Sequence, residues 1–193
     1  MSRREHQSQS AISTSSGGEL VGIDCFYVGR LRGTEGAIWQ LTAIDIASSY
    51  AWAELVICKQ GNPTAAQTSK LAQRAARELK ATGWKLERML SDNGNELKGD
   101  FTKTVDALKV RHTRIHAGRP QTNGHVEALH KTILDECWRP AFARYLYPRY
   151  TGLKRELDTY LRFYNNDRVH HGRLTQGRIP ADIVYRARKM EAR

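Results

Sequence analysis

Three acidic residues stand where an element ends or where a carboxylate is out of place. Asp24 interrupts the apolar run Leu20-Val21-Gly22-Ile23-Asp24-Cys25-Phe26, and a carboxylate buried in such a strand needs a partner or a metal ion. Asp92 sits where a strand-like run meets Ser91-Asp92-Asn93-Gly94, a strong turn signal that lets the side chain point out of a sheet edge. Glu127 lies near the start of a helical segment with the apolar stripe Val126, Leu129, Ile133 and Cys137. It falls about 100° round from Val126, on the stripe's flank, with Lys131 as its neighbour four residues on. Carboxylates on three separate elements suit transfer or hydrolysis at a phosphodiester. That chemistry puts charge on the attacking and leaving oxygens, and two divalent cations about 3.5–4 Å apart stabilise both. Mg²⁺ prefers oxygen ligands and keeps several waters, so a few carboxylates suffice to hold the pair. Spacing alone does not single out this triple from 20 acidic residues. Asp24 could equally pair with an arginine, Asp before Asn-Gly is ordinary turn chemistry, and the first turn of a helix favours an acid through its dipole.

The elements that would position these residues can be read from periodicity. Leu20 to Phe26 reads as a buried strand, and Arg30 to Gly36 as a turn. Ile38 to Ile46 and Tyr50 to Cys58 are two further strands separated by Ala47-Ser48-Ser49, which gives an antiparallel meander. After Gly61 the period changes: Asn62 can N-cap, Pro63 suits the first helical position, and Gly83 suits the left-handed position past the helix end. Lys85 to Leu90 reads as a strand, Thr102 to Lys109 as a short helix and Arg111 to His116 as a short strand. Gly118 to Gln121 is an irregular loop, and a helix runs from about Asn123 to Trp138. Leu153, Leu157, Tyr160, Leu161 and Tyr164 mark a later amphipathic helix ending at Asn165-Asn166, before a basic loop and a last helix opened by Pro180. The order βββ-α-β-α-β-α predicts an α/β fold with a mixed sheet flanked by helices. The division expected is a polar leader over 1–18, a core over 19–150 and a C-terminal helical extension over 151–193.

Composition narrows the class. The 193 residues carry 31 Lys and Arg against 20 Asp and Glu, a formal charge of +11, with 40% apolar residues. That is enough to build a core, and the positive excess favours a polyanionic partner. No apolar stretch approaches the roughly 18 residues of a membrane span. Three scattered cysteines, Cys25, Cys58 and Cys137, argue against a disulfide scaffold and for a reducing compartment. The seven histidines have no Cys-x2-Cys companion, so a structural zinc site is not expected. Cys25 has no partner pattern for a thiol nucleophile and reads as core. No P-loop or dinucleotide fingerprint is present.

Two segments carry a resemblance. Ser91-Asp92-Asn93-Gly94-Asn95-Glu96-Leu97, and Gly118-Arg119-Pro120-Gln121-Thr122-Asn123-Gly124-His125-Val126-Glu127, resemble the DDE transposase and retroviral-type integrase catalytic core, above all bacterial insertion-sequence transposases. In that family the second acid opens the first motif and the third closes the second motif some thirty-odd residues on; here Glu127 follows Asp92 by 35 positions. Thr42 to Ala51 resembles the family's second and third strands, and Phe163 to His170 with Pro180-Ala181 its C-terminal signature. The likeness runs from about residue 20 to 185.

The resemblance implies an RNase H-like fold and a catalytic set of Asp24, Asp92 and Glu127, holding Mg²⁺ or Mn²⁺, two ions per site. Asp45 rivals Asp24, but the family places its first acid on strand one. Glu96 rivals Glu127, but follows the turn too closely to approach the same metals from another element. The implied activity is a polynucleotidyl transferase that nicks element ends with water and then joins the freed 3′-hydroxyl to target DNA. The partners implied are DNA ends, target DNA and further copies of the chain on DNA, with no membrane and no small-molecule substrate, in the cytoplasm at a bacterial nucleoid. A nuclease of the same fold, or a silent DNA-binding remnant, are the alternative readings. Lys103, Arg114, Arg119, Asn123, His130, Lys131 and Arg168 are the expected DNA contacts, positioning phosphates rather than reading sequence. His116 and His125, like His130, line DNA or bond backbone near the active edge, and Arg168, His170, His171 and Arg173 form a second basic cluster that binds DNA or bonds back to the core. Ser49 and Ala128 stand where the family commonly has arginine, which bears on DNA affinity rather than on the acids. Many relatives carry an N-terminal end-reading domain with no counterpart here, so a catalytic-core fragment is the expectation.

Overall fold

The computed structural model describes residues 16–115, 124–172 and 174–186. Three strands, β1 (Val21–Gly29), β2 (Ala37–Asp45) and β3 (Ala51–Cys58), form the expected antiparallel meander. Two short strands, β4 (Arg88–Ser91) and β5 (Arg111–Arg114), extend the sheet in parallel on the other side of β1, in the order β3-β2-β1-β4-β5. Each parallel strand is reached through a helix, α1 (Ala65–Ala81) before β4 and α2 (Asp100–Ala107) before β5, as parallel pairing requires a crossover. This is the α/β mixed sheet that the alternation of periods predicts.

The two-residue period of β1 sorts its side chains onto two cores. Val21 and Ile23 face α1 and α2, among Leu41, Trp52, Leu71, Leu79 and Phe101. Gly22, Asp24 and Phe26 face the other layer, built from α3 (Gly124–Ile133), α4 (Arg139–Arg144) and α5 (Tyr150–Asn166). The short α6 (Pro180–Val184) packs against α5. Among the described residues no helix is long and apolar enough to cross a membrane.

Several boundaries move for identifiable reasons. Helix α1 starts after Thr64 rather than Asn62, because Thr64 and Gln67 close a reciprocal capping box: Gln67 N donates to Thr64 Oγ1 at 3.3 Å and Thr64 N to Gln67 Oε1 at 2.9 Å. Gly83 ends that helix as expected, at φ 82°. The helix expected to stop at Trp138 instead passes from α3 through a π-helical turn, Leu134–Trp138, into α4. Pro140 explains the turn, since an α-helical path would drive its ring into the carbonyl four residues back. Helix α5 is no appendage to the sheet. Leu153, Leu157, Leu161 and Tyr164 complete the same core as Val126 and Ile133. Its Asn165 pairs Ala51 on edge strand β3 through both amide atoms, donating to the carbonyl at 2.8 Å and accepting from the N–H at 2.9 Å, and the Tyr150 hydroxyl donates to the Leu55 carbonyl.

Helix α3 reaches β1 only because residue 22 is glycine. A Cβ at that position would lie 2.5 Å from Val126 Cγ2. Gly22→Ala is therefore expected to destabilise the fold by about 1–3 kcal/mol through overpacking. Combining it with Val126→Ala should return part of that loss, as read by denaturant unfolding of the single and double variants.

Candidate active site

Strand β1 carries Asp24 into the layer occupied by α3, opposite Thr42 of β2. Its Oδ1 accepts the Cys25 N–H at 2.7 Å, its Oδ2 lies 4.0 Å from His130 Nδ1, and the side chain keeps 19% exposure. Asp92 is the first residue beyond β4. The parallel register pairs Val21 with Met89 and Gly22 with Leu90; continued by two places, it sets Asp92 level with Asp24 on the adjacent strand. The turn that follows is held residue by residue. Asp92 Oδ1 accepts the Gly94 N–H at 2.9 Å, the Asn93 amide donates to the Ile115 carbonyl, and Ser91 Oγ bonds the His112 ring. Gly94 adopts φ −54°, so it is not there for left-handed backbone. It makes room: a Cβ would lie 2.5 Å from Glu96 Oε1, because the Glu96 carboxylate folds back over it. The Glu96 carbonyl accepts the Thr68 hydroxyl at 2.6 Å. Glu96 thus stays beside the Asp92 turn.

Glu127 is exposed on α3, next to Val126, which covers Gly22, and one turn before His130, which reaches Asp24. The helix thus runs along β1 from Gly22 towards Phe26, whose ring lies 5.4 Å from that of His130. By that continued register Asp92 falls beside Asp24, and Glu127 lies on the exposed flank of the helix packed against β1. Among the described residues no group of three or more His, Cys, Asp or Glu side chains lies close enough to hold a metal ion together.

The donor set of the two aspartates suits a hard divalent cation, since both offer carboxylate oxygens. The flanking thiol of Cys25 does not compete as a ligand: burial, then the charges of Glu96, Asp24 and Asp92, push its pKa far up and keep it protonated. Burial also pushes the His130 imidazole down to about 4, so at neutral pH it faces Asp24 uncharged and the contact is no ion pair.

The other expected residues separate clearly. His130 is buried against Phe26 and Asp24 rather than presented at the surface. Lys131 is exposed one turn beyond Glu127, Lys103 is exposed and paired with Asp100 at 2.9 Å, and Arg114 donates to Thr102. Arg168 bonds Glu136 through two nitrogens, at 2.8 and 3.2 Å, and lies over the Tyr164 ring, while His170 packs its ring edge on Tyr164. Of the two readings of that cluster, these two residues take the one that bonds back to the core. His116, Arg119, Asn123 and Arg173 lie outside the described residues, as do residues 1–15 of the leader. What the sequence does not show is the seat of His130. Its only signal is helical spacing, four residues on from Val126 on the face that packs against β1.

Asp45, the rival first acid, is fully buried in a different role. Its Oδ1 accepts the Gly18 N–H at 2.8 Å, and its Oδ2 accepts the Ser48 N–H at 2.9 Å and the Ser48 hydroxyl. It ties the β2–β3 turn to the segment entering β1.

Comparison with known proteins adds a family model, one relative and three solved structures. Residues 108–175 match the model of the integrase core domain family. The retrovirus-related Pol polyprotein of transposon TNT 1-94 from Nicotiana tabacum is 29% identical over 136 residues, which cover 67% of this chain and 10% of the polyprotein. The fold matches a chain of the simian T-cell lymphotropic virus intasome in complex with PP2A regulatory subunit B56 gamma, with TM-score 0.72, 13% identity, 98% of this chain and 63% of that one. It also matches the HTLV-2 integrase catalytic core domain in complex with magnesium, in its trimeric form, with TM-score 0.62, 15% identity, 87% of this chain and 97% of that one. The BIV integrase core follows with TM-score 0.60 and 19% identity, over 89% of this chain and 96% of that one. The five-stranded sheet with its helices is the RNase H-like fold of integrase catalytic cores. The family model covers residues 108–175 only, and this chain spans a tenth of the length of the polyprotein it resembles.

The contrast between the two buried-strand acids is measurable. Both Asp45 oxygens face backbone N–H donors, so an amide at this position always turns its NH₂ against one of them. Asp45→Asn is expected to cost about 1–3 kcal/mol, the penalty of an unmatched buried donor. Asp24→Asn, at a position whose side chain is partly exposed, should unfold close to the parent midpoint; thermal unfolding of the two variants reads the difference.

Proposed function

We propose that this chain is a metal-dependent polynucleotidyl transferase domain, which cleaves DNA at element ends and joins the 3′-hydroxyl to target DNA. The observation that carries the reading is the parallel β1–β4 register, which continues to set Asp24 level with Asp92 beneath the helix that bears Glu127. In this reading Asp24, Asp92 and Glu127 hold Mg²⁺ or Mn²⁺. When bound, two such ions would stabilise the charge that builds on the attacking and leaving oxygens of an in-line displacement.

The chain's own residues supply the remainder. Asp24 stands on β1 with one oxygen taken by the Cys25 N–H, and Asp92 stands one residue past β4 with one oxygen taken by the Gly94 N–H, so one oxygen of each carboxylate is held before a substrate arrives. Cys25 stays protonated and adds no charge between them. The exposed Lys103, Arg114 and Lys131 lie around the acids in sequence and in this reading hold phosphates by charge, with Arg119 and Asn123 proposed to act beside them. Arg168 bonds Glu136, and in this reading it steadies the packing behind α3 rather than meeting DNA. Both ends of an element must be joined in one event, so the working assembly holds more than one copy of the chain on DNA.

A strand-transfer assay with end-labelled duplexes tests the reading. Asp92→Asn is expected to lower joining at least about a thousandfold, the several kcal/mol that metal-held charge supplies, while DNA retention stays near the parent level. Joining at the parent rate would refute the site, and cleavage without joining would reduce the activity to a nuclease. Retention itself should fall linearly in log Kd against log salt, since phosphate contact releases counterions; a flat salt titration would contradict an electrostatic DNA face.

A further inference from the structure

His130 is the residue in this region whose chemistry nothing above uses. Its side chain is nine-tenths buried, its Nε2 has no hydrogen-bond partner among the described residues, and its Nδ1 lies 4.0 Å from Asp24 Oδ2. Those facts fix where its single ring proton belongs. A proton on Nε2 would bury a donor with no acceptor, and would turn the Nδ1 lone pair towards a carboxylate oxygen. A proton on Nδ1 aims the donor at Asp24 and leaves only an acceptor unpaired, the lesser cost. The ring cannot easily swing away to solve the problem differently. It is packed against Phe26 at 5.4 Å, and α3 is clamped on β1 by the Val126–Gly22 contact one turn earlier.

We propose that His130 is a positioning residue for Asp24, its Nδ1–H drawing Oδ2 towards α3 so that the carboxylate is oriented to hold a divalent cation. The inference rests on the reading of Asp24 as a metal-holding residue, and it assigns to α3 a second task besides carrying Glu127. Residues one turn apart on a single helix then address the same cleft, one from the exposed flank and one from the buried face. At 4.0 Å the contact is longer than a hydrogen bond, and a shift of about 1 Å by the Asp24 side chain closes it.

Mn²⁺ titration of the full chain without DNA, followed by electron paramagnetic resonance, is the test. His130→Leu keeps the apolar packing and removes the donor; it is expected to weaken Mn²⁺ binding about tenfold or more, the usual effect of losing a group that orients a ligand. His130→Asn places an amide N–H within reach of the same oxygen and is expected to restore most of the affinity. Independently, ¹⁵N spectra of the parent should show His130 as the Nδ1–H tautomer, with that signal shifted by Asp24→Asn. If His130→Leu binds Mn²⁺ like the parent while Asp24→Asn does not, the positioning role is wrong and the site reading stands. If Asp24→Asn binds Mn²⁺ like the parent, the site reading itself falls. Should His130→Leu fail to fold, the asparagine variant and the tautomer decide, and an Nε2–H tautomer overturns the proposal.

Discussion

Strand β1 is paired on both edges and covered by helices on both faces, so a carboxylate in its middle must find solvent or partners along its own length. Asp24 does so at the one level where the neighbouring parallel strand has just ended and the chain turns away at Asp92. The short β4 thereby stops beside a buried strand whose Asp24 keeps partial exposure. The helix on that face has to come close to β1, and Gly22 permits it by leaving room for Val126. Fold and site depend on the same few ångströms of backbone approach.

Much of this was legible in the sequence. The switch from a two-residue to a helical period after Gly61 marked the end of the meander, and Gly83 marked the end of α1. The three candidate acids could each be placed on an element, because Asp24 broke an apolar run, Asp92 preceded Asn-Gly and Glu127 lay beside a helical stripe. What the sequence could not separate was acids with similar local surroundings. Asp24 and Asp45 both interrupt apolar strands, yet one is partly exposed beside α3 and the other is enclosed by Gly18 and Ser48. Only tertiary contacts distinguish them.

The misplaced boundaries have the same origin. Asn62 and Pro63 are reasonable helix openers, but Thr64 with Gln67 satisfies two backbone donors at once and wins. Trp138 looked like a helix end, whereas a wider turn lets the helix carry on past Pro140. His130 reads as a residue lining DNA or bonding backbone near the active edge, and its helical position, four residues on from Val126, puts it on the inward face. Arg168 reads as a phosphate contact because it sits in a basic run, and its pairing with Glu136, 32 residues away in the π-helical turn, has no local signal in the sequence.

The two hydrogen bonds from Asn165 to Ala51 have a wider effect than anchoring a helix. Edge strands expose backbone groups that invite another strand to dock. At this rung the carboxamide occupies both of those groups, much as one residue of a sixth strand would, and the Tyr150 hydroxyl takes the carbonyl of Leu55 further along. That margin of the molecule is sealed by its own C-terminal half, so an incoming β-segment would have to displace α5 and the core it completes before it could zip on.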